Sequence, residues 1–138
     1  MELARGQITE HFAWREFACH DGAPVPPEYR SHVRRLCEAL EVLRQELGGR
    51  PIAIVSGYRT LEWNRRVGGA ARSQHLAARA ADMRVEGVSP AEVADAIERL
   101  IGDGRMPQGG LGRYDTFVHY DLRGYHARWD ERSDSALG

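Results

Sequence analysis

Tyr29, Val33, Leu36, Cys37, Leu40, Leu43 and Leu47 recur at three- and four-residue spacing, the stripe of an amphipathic helix over about 27–47. Arg34, Arg35, Glu38, Glu41, Arg44 and Glu46 fall off that stripe and read as a solvated face. Pro26-Pro27 opens the helix and Gly48-Gly49 stops it. Residues 51–56, PIAIVS, then form a short β-branched run, the pattern of a buried strand. Thr60 caps a short helix to about Arg66, with Glu62 in its first turn. Residues 80–85, AADMRV, predict a second strand, with Asp82 on one face beside Ala80 and Arg84. Ser89-Pro90-Ala91-Glu92 is a capping box with proline at the first helical position, and Val93, Ala94, Ile97, Leu100 and Ile101 supply that helix's apolar face. Two further strands, about 109–112 and 117–123, predict a hairpin turning near Tyr114-Asp115.

Residues 1–28 show little periodicity; Phe12, Trp14 and Phe17 predict an irregular arm clipped to the core, with His11 and His20 read as exposed. The order is arm, helix, strand, strand, helix, strand, strand. Closely spaced strands at the end favour an antiparallel sheet with packed helices, an α+β domain. One domain over residues 1–129, including the arm, and a frayed tail over 130–138 are expected.

Composition narrows the partners. Net charge is −1 and the isoelectric point about 6.6, which gives no support to nucleic acid or an anionic membrane as partner. All 19 basic residues are arginine, which reads first as a coding bias. No apolar run has the length of a membrane span, and residues 1–14 lack the apolar core of a signal peptide. Cys19 and Cys37 are too few for a disulfide framework, and Cys37, on the helix stripe, is expected as a buried free thiol.

The candidate chemistry lies in two stretches. SQHLAARAAD, residues 73–82, places His75 seven positions before Asp82, and FVHYDLRG, residues 117–124, alternates His119 with Asp121. An aspartate inside an alanine-rich strand is unfavourable by propensity, and such a local violation marks a site or a partner. His75, Asp82 and His119 together offer two imidazoles and a carboxylate, a donor set suited to Zn²⁺ with the fourth position left to water. Each also has an ordinary reading: His75 as a surface loop residue, Asp82 as a buried partner of Arg84 or Arg59, His119 as a satisfied strand histidine. Tyr58, Tyr120 and Tyr125 read as packing residues.

SGYRTLEWN (56–64), SQHLAARAADM (73–83) and FVHYDLRG (117–124), with the arm motif HFAWREFACHDG (11–22), resemble the M15-type zinc peptidases acting on peptidoglycan stem peptides, including D-alanyl-D-alanine carboxypeptidases and endopeptidases. The resemblance spans roughly 7–129 and implies the small α+β fold shared with the hedgehog signalling domain, built on a central antiparallel sheet. It implies His75, Asp82 and His119 as zinc ligands, Arg59 binding and polarising the substrate, and Ser73 touching it. It implies hydrolysis by a zinc-activated water, with a peptidoglycan peptide as the substrate and the bacterial cell wall as the place of action; a phage lysin or particle component fits the leaderless chain. A monomer is expected. Two positions depart from the family pattern. Ala78 stands where many relatives have glycine, and Thr116 stands where several branches place the catalytic carboxylate. Asp121 is therefore the first choice for general base, with orientation of a ligand as its other possible role, and Asp115 is the second choice. The competing reading is a zinc-containing wall-binding module without turnover. Asp121 discriminates: reach to cleft water favours the enzyme, a structural partner favours the module.

Overall fold

The computed structural model describes residues 3–133. Strands β1 (Gln7–Thr9) and β2 (Phe12–Ala13) pair as a small antiparallel sheet in the arm, where no regular element was expected. Helix α1 (Arg30–Glu46) buries Val33, Leu36, Cys37, Leu40 and Leu43, the stripe its periodicity predicts. Each fully buried leucine or valine contributes about 1.5–3 kcal/mol, so this face alone anchors the core. Its polar face is not wholly solvated. Glu41 accepts hydrogen bonds from Thr9 Oγ1 (2.7 Å) and the His11 amide (2.8 Å) and contacts His11 Nδ1 (2.7 Å), tying the arm to the helix.

Strand β3 (Ile52–Ser56) leads to helix α2 (Leu61–Arg66), where Thr60 Oγ1 accepts from the Trp63 amide as the expected cap. Strand β4 (Ala80–Val85), helix α3 (Pro90–Gly102), and strands β5 (Gly110–Arg113), β6 (Val118–Asp121) and β7 (Ala127–Asp130) follow. Ser89 caps α3 as predicted, its Oγ accepting from the Glu92 amide and donating to Glu92 Oε1. The main sheet runs β3-β4-β6-β5-β7, antiparallel except that β7 lies parallel to β5. The fold is the expected α+β arrangement. The parallel edge strand is the addition: Arg128 and Trp129 pair beside β5 rather than ending an ordered core. Beyond Asp130, where fraying was expected, Glu131 donates its amide to the Arg113 carbonyl and Ser133 donates to Asp115. The rest of that expected tail, 134–138, lies outside the described residues.

Candidate metal centre

The register of the sheet assembles the site. Asp82 of β4 lies directly opposite His119 of β6, and Ala80 lies opposite Asp121, so all four face the same side. His119 is in turn opposite Gly112 of β5. Small residues surround the cluster because larger ones do not fit. A side chain at Gly110 would meet the Asp121 carboxylate, and one at Gly112 would meet the Trp129 indole.

His75 arrives from outside the sheet, on a short 3-10 turn, Gln74–Ala77, capped by Ser73, whose Oγ accepts from the His75 amide at 3.2 Å. The turn ends at Ala78, whose φ of 55° is left-handed. The departure from glycine therefore falls where backbone conformation matters. Two bonds zip this turn to the segment after β3: Arg59 donates its amide to the His75 carbonyl (3.0 Å), and His75 Nδ1 donates to the Gly57 carbonyl (2.7 Å). Gly57 itself is pressed by the arm, since a Cβ there would lie 2.8 Å from Phe17 Cα.

His75, Asp82 and His119 are all buried, and one potential ligand atom from each lies within 4.8 Å of the others. Tautomers follow from the partners. A carbonyl only accepts, so His75 carries its proton on Nδ1 and presents a bare Nε2 in its neutral form. That Nε2 is buried without a hydrogen-bond partner, although Asp82 Oδ1 is 3.2 Å away. On the other side, His119 Nε2 contacts Asp121 Oδ2 at 2.7 Å, while Nδ1 faces Asp82 Oδ1 at 3.0 Å. Two imidazoles and a carboxylate oxygen thus converge on one point. A cation there satisfies all three, and the cluster can hold a metal ion.

Electrostatics without a metal fit the same picture. Burial pushes the Asp82 carboxyl up, but the hydrogen bond from His119 and the neighbouring His75 imidazole outweigh it and hold the group below the usual carboxylate range. Burial pushes the His119 imidazole down, but Asp121 and Asp82 override it, and the imidazole titrates above its ordinary value. Asp121 is likewise held low: its burial cost is outweighed by His119 and Arg123.

The remaining candidate residues have defined partners. Asp121 has no exposed surface, and its oxygens accept from the Gly110 amide, the Arg123 amide and guanidinium, and His119 Nε2. Asp121 is thus placed to orient His119, the second of the two roles expected for it, and it is not among the residues lining the cleft. Asp115, the second choice for base, accepts from Ser133 Oγ and amide and does not line the cleft. Asp82's arginine partner is Arg59, at 3.4 Å; Arg84 donates to the Thr116 carbonyl instead. Arg59 also reaches Asn64 (3.2 Å) and Ser56 (3.3 Å). Tyr120 packs as expected, buried with its hydroxyl donating to the Pro107 carbonyl, while Tyr125 is exposed.

Above the cluster opens a cleft of about 470 Å³ lined by Arg59, residues 67–70, Arg72, Ser73, Gln74, His75, Asp82, Tyr114, Phe117, His119, Arg123 and Trp129. A larger hollow of about 530 Å³ lies between the arm and the end of α1, but it holds none of the three clustered residues, so volume alone does not locate the site. Tyr114, Arg123 and Trp129 were not anticipated as cleft residues. The available signal was the alternation of Gly110 and Gly112 along β5, which marks a close approach by something bulky.

Two buried histidines, one held from behind by the Gly57 carbonyl and one by Asp121, meet a buried aspartate at the cleft, a donor set that can hold a metal ion. The comparison with protein families agrees: the model described as Peptidase M15 matches residues 8–121. The chain belongs to the M15 peptidase family. Compared with curated proteins, it matches none.

Proposed function

We propose that this protein is a zinc peptidase hydrolysing an amide bond in peptidoglycan stem peptides or their cross-links. The observation that carries this reading is the buried, unpartnered Nε2 of His75, held toward Asp82 and His119 by the Gly57 carbonyl. Two donors sharing a tetrahedral zinc at about 2.0–2.1 Å sit about 3.3 Å apart. The His75–Asp82 and His119–Asp82 separations of 3.2 and 3.0 Å are close to that spacing. His75 through Nε2, Asp82 through Oδ1 and His119 through Nδ1 would hold the ion. When bound, zinc supplies a Lewis acid for the scissile carbonyl and lowers the pKa of a water to about 7.

The chain's own residues supply position and charge. Asp121 holds His119 in the tautomer that leaves Nδ1 free. Arg59 keeps contacts of 3.2 to 3.4 Å, long for charge-assisted bonds, so its guanidinium can turn to an anionic or polarised substrate oxygen. Ser73 uses its oxygen as a cap and retains a proton to donate to substrate. Arg59, Arg72 and Arg123 line the cleft, with Asp82 the sole carboxylate among the described lining residues. That balance suits a peptide bearing carboxylates, as wall stem peptides do, and supports action at the bacterial cell wall.

The same balance favours a second reading, a wall-binding metal module without turnover. Asp121 is enclosed behind His119, and no other carboxylate beyond Asp82 lines the cleft among the described residues. Incubating the zinc-loaded protein with purified sacculi and analysing the fragments by mass spectrometry separates the two. New peptide ends establish the peptidase and identify the bond. Sedimentation with sacculi and no new ends establishes the module.

A further inference from the structure

One wall of the cleft is aromatic. Phe117 stacks on Tyr114 with ring centroids 4.3 Å apart and planes 12° apart, and the His119 ring lies 4.9 Å from that of Trp129. Trp129 Nε1 donates to the Tyr114 hydroxyl oxygen at 2.8 Å. All four residues line the cleft that contains His75 and Asp82.

The direction of the Trp129–Tyr114 bond is fixed by chemistry. An indole N–H only donates, so the phenol oxygen must accept, and its own proton is left for another acceptor. Among the described residues no protein group accepts it. Two neighbours hold the hydroxyl, and one of them is itself held. Phe117 sets the ring plane, the indole sets the lone-pair side, and Trp129 is seated where a side chain at Gly112 would collide with it. The Arg123 guanidinium covers Trp129 at 5.2 Å from its centroid. A donor fixed in this way costs little reorganisation when charge develops beside it.

We propose that the Tyr114 hydroxyl is a hydrogen-bond donor to the scissile carbonyl oxygen as that oxygen gains negative charge, and that Trp129 aims it. The inference rests on the peptidase reading. Water adds its oxygen to the carbonyl carbon, the C–N bond breaks, and the water protons end on the new carboxyl group and the leaving amine. Tyr114 keeps its proton throughout. The role uses a neutral donor, so it needs no carboxylate besides Asp82 among the described lining residues.

The test uses soluble muropeptides prepared from sacculi and compares zinc-loaded wild type with Tyr114→Phe and Trp129→Phe. Removing one donor of this type costs about 10²- to 10³-fold in kcat. Tyr114→Phe is expected to lose about 100-fold in kcat, with KM within about twofold and zinc content unchanged. Trp129→Phe keeps the phenol but not its aim and is expected to fall about tenfold in kcat with KM again unchanged. Either variant alone supports the role if the other fails to fold. Wild-type kcat in Tyr114→Phe, or in Trp129→Phe where that is the only folded variant, overturns it. So does a loss that follows zinc content. A wild type inert on muropeptides overturns the peptidase reading first and this inference with it, a result distinct from an active wild type matched by its variants.

Discussion

Asp121 shows how depth decides what a carboxylate does. Alternation along β6 places it on the face of His119, but alternation says nothing about whether that end of the face is open. Its oxygens are saturated by Gly110, Arg123 and His119, so its influence on the site passes through the imidazole. Asp121→Asn is expected to weaken zinc affinity about 10- to 100-fold, read by competition with a chelator, because the amide supports His119 less well. Unchanged affinity with lost turnover would return Asp121 to the role of base. Ala78 is a second case. Its left-handed φ of 55° costs roughly 1–2 kcal/mol for a residue with a Cβ. Its methyl is buried, which returns about 0.8 kcal/mol, and alanine limits the unfolded chain more than glycine does, by about 0.4–1 kcal/mol. Alanine at φ > 0 costs more than the chain-entropy term returns, so Ala78 is a position where Ala78→Gly is expected to be neutral or stabilising, read as an unchanged or higher denaturant midpoint.

At the scale of elements, β5 is a strand selected for what it lacks. Gly110 admits the Asp121 carboxylate and Gly112 the Trp129 indole. Gly112→Ala is expected to destabilise the protein by about 1–3 kcal/mol, the ordinary cost of overpacking, measurable as a lower denaturant midpoint at unchanged slope. An unaltered midpoint would mean that Trp129 moves aside freely. The helices and the strands β3 to β6 were legible in the sequence because their burial patterns are periodic and their ends carry caps, as at Thr60 and Ser89. The cluster of His75, Asp82 and His119 was legible as a candidate metal set from its donor types; the register brings Asp82 and His119 together, and the turn Gln74–Ala77 brings His75 to them. Strand β7 was not legible: it is four residues long, none of them fully buried, and its place beside β5 is a non-local pairing. The arm sheet was missed for a similar reason, since β1 and β2 have three and two residues. Its hold on α1 through Glu41 cannot be seen in a helical stripe, which marks only the apolar side.

Across the whole molecule, arm, turn and sheet converge on one buried polar cluster, where a bound metal would compete with protons. In the metal-free protein His119 titrates above its ordinary value of 6.5. Its protonated form therefore contributes stability that is fully present below that value and is lost as pH rises through the raised value. Metal-free protein is thus expected to melt at a lower temperature at about pH 9 than at about pH 6, while zinc retention changes in the opposite sense, weakening as protons reoccupy the imidazoles. Parallel melting curves for both forms would contradict this competition. Among the described residues no helix is long and apolar enough to cross a membrane. The most direct test of the account is the metal content of the purified protein beside its His75→Ala variant, with circular dichroism to confirm that both are folded. One zinc per chain is expected in the wild type and none in the folded variant. Stoichiometric zinc in the variant, or no zinc in the wild type after reconstitution, would contradict it.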